Sequence, residues 1–135
     1  KRAASTSAKA KQITDYAQRF INTSYRYGGT SRQGMDCSGL IYQSFLKYDV
    51  NIPRTSKNMS KIGRKVKLRK VAVGDLLFFK SSKKWFGGIN HVGLVVIVDS
   101  GNIQFIHSTT SRGVIVSDLN QAYWAKSFKF ARRIL

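Results

Sequence analysis

The sequence contains no glutamate. All 6 acidic residues are Asp, set against 24 Lys and Arg, so the formal net charge is +18. A Glu acting as acid, base or metal ligand is therefore excluded. There is a single cysteine, Cys37, which rules out an internal disulfide and any metal site built from several thiolates. Pro53 is the only proline, and His91 and His107 are the only histidines, so groups able to move protons near neutral pH are few. No stretch approaches the roughly 18 uninterrupted apolar residues of a membrane span. The opening Lys1-Arg2-Ala3-Ala4-Ser5 lacks the apolar run of a signal peptide. That start fits a cytosolic protein and the mature form of an exported one equally well.

What is present suffices for one domain: 135 residues, 42% of them hydrophobic, can bury a core without staples. The basic excess implies an anionic partner or matrix, and nucleic acid, anionic lipid and bacterial wall polymer all qualify. The plain alternative is a solvated, soluble surface. The unpaired thiol is either a small buried hydrophobe or a nucleophile.

Residues 1–11 are small, polar and basic, and read as a flexible tail or a helix start, leaving 12–135 as the domain. Ile13, Ala17, Phe20 and Ile21 fall at helical spacing, predicting an amphipathic helix that ends near Asn22. A loop with Gly28, Gly29 and Gly34 leads to a second helical pattern carrying Leu40, Ile41, Phe45 and Tyr48, with Asp36 placed to cap it and Cys37 in its first turn. Pro53 ends this segment, and Thr55 or Ser56 can cap a short helix to about Ile62. Lys57 to Lys70 form a dense basic patch. From Leu76 onward the pattern is one of strands, at 76–79, 91–98, 103–107, 114–116 and 128–132, punctuated by Gly87-Gly88, Ser100-Gly101 and Arg112-Gly113. Asp118 to Trp124 reads as one short helix. Helices followed by a strand meander predict an α+β fold with an antiparallel sheet. The uniformly apolar run after His91 belongs in its middle.

A thiol attacks as thiolate, and a helix N-terminus together with an imidazolium favours that anion. If both act on Cys37, a thiolate–imidazolium pair forms before substrate arrives; Asp36 opposes it unless its carboxylate is committed to capping or to substrate. Both histidines sit at predicted strand termini. His91 is assigned as general base, with Gly93 allowing close approach of another segment. His107 is assigned as the group that orients it. Tyr25 or Tyr27 could help the Cys37 amide stabilise an oxyanion, and core packing is the alternative for both. One Cys and two His could also be three zinc ligands, although no pair has the short spacing usual in such sites.

Six segments in register carry a family resemblance: Tyr25-Arg26-Tyr27-Gly28-Gly29, Met35-Asp36-Cys37-Ser38-Gly39-Leu40, Ile52-Pro53-Arg54-Thr55-Ser56, Val73-Gly74-Asp75-Leu76-Leu77-Phe78-Phe79, Asn90-His91-Val92-Gly93-Leu94-Val95 and Phe105-Ile106-His107-Ser108. From about Thr14 to Leu135 the chain resembles the NlpC/P60 family of cell-wall cysteine peptidases, compact papain-like α+β domains that cleave peptidoglycan stem peptides. The resemblance implies Cys37 as nucleophile, His91 as base, His107 as its orienting partner and Tyr25 on the oxyanion side. It implies Asp36 and Ser38 as residues that hold the peptide stem. The bond implied is that between γ-D-glutamyl and the diamino acid, with no metal or organic cofactor required.

The expectation is thus a monomeric, exported cysteine endopeptidase of the periplasm, cell envelope or medium, with any lipid anchor lying upstream of Lys1. Its partners would be stem peptides and, through the basic surface, anionic wall polymers, with no nucleic acid and no transmembrane segment. The rivals are an N-acetylmuramoyl-L-alanine amidase on the same fold, and a non-catalytic basic module binding nucleic acid or wall with Cys37 as a structural residue.

Overall fold

The computed structural model describes residues 4–80 and 88–135. Residues 1–3 of the expected tail, and Gly87, lie outside the described residues. Helix α1 runs Ala4–Gln18, so from Ala4 on the segment read as a tail or helix start is helix. Its buried face carries Ala10, Ile13, Ala17 and, just beyond its end, Phe20. The helix thus stops at Gln18, short of the expected Asn22, and a turn over 19–22 ends at Asn22, whose φ of 76° is left-handed and whose N–H bonds to the Val114 carbonyl.

A two-stranded ribbon, β1 (Thr30–Ser31) and β2 (Gly34–Met35), delivers the chain to α2 (Cys37–Leu46). Leu40, Ile41 and Phe45 of α2 are fully buried, each worth about 1.5–3 kcal/mol of burial. After Pro53, Thr55 caps the one-turn α3 (Ser56–Met59) by accepting the Asn58 N–H.

Six strands follow: β3 (Arg64–Val66), β4 (Leu76–Phe79), β5 (His91–Asp99), β6 (Asn102–Thr109), β7 (Gly113–Asp118) and β8 (Phe128–Arg133). A short 3-10 turn, Leu68–Lys70, joins β3 to β4. The sheet order is β3-β8-β4-β5-β6-β7, antiparallel throughout. The fold is the expected α+β architecture with β5 inside the sheet, and β3 adds an edge strand that the basic patch had concealed.

Both faces of this sheet are covered, which explains why β4 and the first part of β5 are apolar without alternation. On one face Leu76, Phe78, Val92, Leu94 and Val96 pack with α1 and α2. On the other, Leu77, Phe79, Val95 and Phe105 pack with Trp124 and Phe128. Trp124 belongs to α4, which spans Ala122–Ser127 rather than beginning at Asp118. Residues 118–121 form a turn instead, in which the Asp118 N–H donates to Gln121 Oε1 and the Gln121 N–H to the Asp118 carbonyl. Local side-chain bonds of this kind compete with the helix.

One buried ion pair ties the sheet at its start. Arg133 holds Asp75 bidentately, Nε to Oδ1 and Nη2 to Oδ2, both 2.8 Å, and Asp75 is fully buried. Breaking such a pair on one side costs about 3–5 kcal/mol.

Candidate active site

The site forms where the N-terminus of α2 meets the starting end of β5. Asp36 is extended at φ −88°, ψ −178°, and caps α2 by accepting the Gly39 N–H on Oδ1 at 2.7 Å. Its Oδ2 accepts the Gly28 N–H at 2.8 Å, and Arg54 pairs with Oδ1 at 3.2 Å. Arg54 also donates to Ser38 Oγ at 2.7 Å. The carboxylate is therefore committed to capping, to the glycine loop and to Arg54, which answers the question its position beside Cys37 raised. A Cβ on Gly39 would collide with the Gly29 carbonyl, so glycine here is what lets the 28–29 loop lie against the helix.

Cys37 occupies the first turn of α2 and is partly exposed. The backbone of Val92, Ser38 and Cys37 itself acts on the thiol in the sense that favours the anion. Pairing of β5 with β6 runs from Asp99↔Asn102 to Leu94↔Ile106, short of Val92. Val92 is thus placed to turn its amide toward the sulfur, and His91 is the residue before it.

His91 is buried against Phe79, Trp124 and His107, with the Trp124 ring stacked on it at 5.3 Å between centroids and 23° between planes. Its Nε2 lies 2.8 Å from His107 Nδ1, and His107 Nε2 lies 2.8 Å from Ser117 Oγ. The two histidines and Ser117 form one buried hydrogen-bonded line. Gly93 permits it: a Cβ there would run into the Phe105 ring at 2.5 Å, and Phe105 in turn packs against His107 with 4.4 Å between centroids. The expected close approach at Gly93 is made by β6. Ser108, next to His107, donates to the Met35 carbonyl at 2.7 Å and so locks β6 to the segment that enters the Cys37 turn.

Electrostatics departs from expectation at one point. Burial pushes the Cys37 thiol up to about 11, reinforced by Asp36 and opposed by the backbone donors. Burial lowers His91 to about 4, and burial together with His91 lowers His107 to about 2. Both shifts run toward the neutral forms, opposite to the direction a preformed thiolate–imidazolium pair needs. The physical reason is desolvation, which outweighs the helix N-terminus and the amides.

Tyr25 is half-buried, and its hydroxyl is shifted upward by burial and by the negative charges available at Cys37 and Asp36. Tyr27 is 89% exposed, so the two tyrosines separate, with Tyr25 on the thiol side. Arg54, Ser117 and Trp124 were missed by sequence reasoning. Arg54 stood inside a recognised segment without a role, and Ser117 and Trp124 carried no local signal. Among the described residues no cluster of His, Cys and Asp is arranged to hold a metal ion. His91 Nε2 and His107 Nδ1 face each other.

A thiol in the first turn of a helix, packed on an antiparallel sheet that carries two hydrogen-bonded imidazoles, is the arrangement a papain-like cysteine hydrolase requires. The chain belongs to the NlpC/P60 family, whose model matches residues 22–133. It is 40% identical to a probable endopeptidase NlpC of Escherichia coli over 90% of this chain and 76% of that protein. It is 34% identical to the Escherichia coli murein DD-endopeptidase MepS/murein LD-carboxypeptidase over 94% of this chain and 63% of that one. Among solved structures, an NlpC/P60 family protein of Bacillus cereus superposes with a TM-score of 0.82 at 31% identity, covering 93% of this chain and 40% of its own.

Proposed function

We propose that this domain is a peptidoglycan endopeptidase in which Cys37 attacks an amide carbonyl of the stem peptide and His91 moves the protons. The observation that supports the assignment is the buried His91–His107–Ser117 hydrogen-bonded line at the start of β5, the strand on which α2 packs with Cys37 in its first turn. For His91 Nδ1 to take the thiol proton, its Nε2 must carry a hydrogen and donate to His107 Nδ1. His107 then carries its proton on Nε2 and donates to Ser117. In that order of donors the line carries no charge in the interior.

Attack would proceed by transfer of the thiol proton to His91 as the carbon–sulfur bond forms. The oxyanion would be met by the Cys37 N–H and the Tyr25 hydroxyl. His91 then protonates the leaving amine, and water hydrolyses the acyl-enzyme. Asp36 and Ser38 would hold the stem peptide together with Arg54, which joins them and is itself only part-buried. Neither metal nor organic cofactor enters this scheme.

The bond proposed is that between γ-D-glutamyl and the diamino acid, and the site of action is outside the cytoplasm, at the wall. The exposed cations Lys57, Lys61, Arg64 and Lys65 would raise the local concentration of anionic wall polymer; binding to purified sacculi should then weaken steeply with salt. Mass spectrometry of defined muropeptides tests the bond. Products split after γ-D-glutamate are expected. Release of the intact stem from muramic acid would establish an amidase instead, and cleavage of crosslinks alone would move the assignment to the D,D bond.

A further inference from the structure

The opposite end of the β5–β6 hairpin carries a feature that catalysis does not use. A groove of about 860 Å³ runs between the hairpin tip, the 3-10 turn and α4. Its floor is apolar, formed by Val71, Val98, Ile103, Leu119 and Phe128. Lys67 and Arg69 stand at its rim and are shared with a second cavity of about 330 Å³. Every described residue lining that second cavity except Val66 is Lys or Arg. No Asp lines either cavity among the described residues. Arg133 is neutralised by Asp75, whereas Arg64, Lys67, Arg69 and Lys70 are exposed to water. Leu68 stands 49% exposed in the middle of these cations.

An apolar trough that ends in a pocket of cations is complementary to a molecule with a hydrocarbon tail and an anionic head. The larger cavity lies within the roughly 300–1,000 Å³ usual for ligand sites, and its walls are mainly apolar with a few placed polar groups. The charge disfavours a cationic amphiphile, and the predominance of apolar side chains over Asn102 and Asn120 in the lining of the larger cavity disfavours a polar polymer. We propose that this composite groove binds an anionic phospholipid at a membrane surface, with its phosphate among Lys67, Arg69 and Lys70 and an acyl chain along Val98, Ile103 and Phe128. It lies about 23 Å along β5 from His91, so a domain seated on lipid by this end keeps the catalytic end free. The assignment does not depend on the catalytic reading.

The test is co-sedimentation of the full chain with vesicles of phosphatidylcholine alone, or of phosphatidylcholine in which part is replaced by phosphatidylglycerol. Binding to the anionic vesicles only is expected. Lys67→Gln with Arg69→Gln should weaken it about ten- to thirtyfold, and Leu68→Ser with Val98→Ser about fivefold, with hydrolysis of a soluble muropeptide unchanged in both. Lys57→Gln with Lys61→Gln, the same loss of charge elsewhere, should weaken it less than about threefold. Titration with short-chain phosphatidylglycerol should shift amide resonances of residues 67–71 and 98–103 together. Equal loss in both charge variants, no loss with Leu68→Ser/Val98→Ser, the same shifts with inorganic phosphate alone, or binding of an acidic amphipathic peptide with vesicles ignored would each overturn the proposal.

Discussion

At one end of the β5–β6 hairpin, His91 and His107 are buried and bonded to each other, with Ser117 on His107, and burial pushes both imidazoles toward the neutral form. At the other, Lys67, Arg69 and Lys70 stand charged in water beside an open apolar trough. The same two strands support both. The difference teaches where electrostatic energy is spent. A reacting group gains from being desolvated, because fixed donors act most strongly where water is absent. A group that recognises a large anionic surface gains from staying solvated and unpaired until the partner arrives. Arg133 marks the boundary: it lines the basic cavity, yet its charge is answered by Asp75 in the interior.

The comparison breaks most visibly at the thiol. Cys37→Ala should lower muropeptide hydrolysis by at least about 10⁴-fold with the fold intact, because a nucleophile has no substitute. Circular dichroism alongside the rate separates loss of chemistry from loss of structure. Next comes the boundary itself: Asp75→Ala leaves the Arg133 cation buried without its partner and should cost about 3–5 kcal/mol in urea unfolding. A cost below about 1 kcal/mol would show that water solvates Arg133 as it does its neighbours.

Acid should act on the catalytic end alone. The folded chain keeps His91 neutral down to about pH 4 and His107 down to about pH 2, whereas in the unfolded chain both take protons near their ordinary 6.5. Below about pH 6.5 the unfolded state binds more protons, so stability present above that pH is lost as pH falls towards 4. Stability at pH 7 and pH 5, measured by thermal unfolding, should differ by up to about 4 kcal/mol, about half from each histidine, and His107→Gln should shrink the difference. Ser117→Ala should reduce kcat about tenfold with little change in KM, since it removes only the last member of the hydrogen-bonded line. A change confined to KM would place Ser117 outside the proton path.

Much of this arrangement is legible in the residues. Strands β4 to β8 follow from apolar runs bounded by Gly and polar turns, and the α2 cap follows from Asp36 preceding Cys37. The pairing of His91 with His107 was expected from their places at strand ends. What escaped has one cause: partners chosen by tertiary packing leave no local trace. Ser117 reaches His107 only because β6 and β7 pair in one register. Trp124 stacks on His91 only because residues 118–121 turn instead of continuing a helix. β3 is three residues of Arg64-Lys65-Val66 whose charge masked an edge strand, and the shifts of Cys37 and His91 toward their neutral forms come from burial, which a linear sequence does not display.

The central claim is that His91 acts on the Cys37 sulfur. Alkylation of the single thiol by iodoacetamide at neutral pH, followed by intact mass in the wild type and in His91→Ala, tests it with no assumption about substrate. The account predicts modification of Cys37 at a rate that falls at least about tenfold when the imidazole is removed. Equal rates in the two proteins would contradict it.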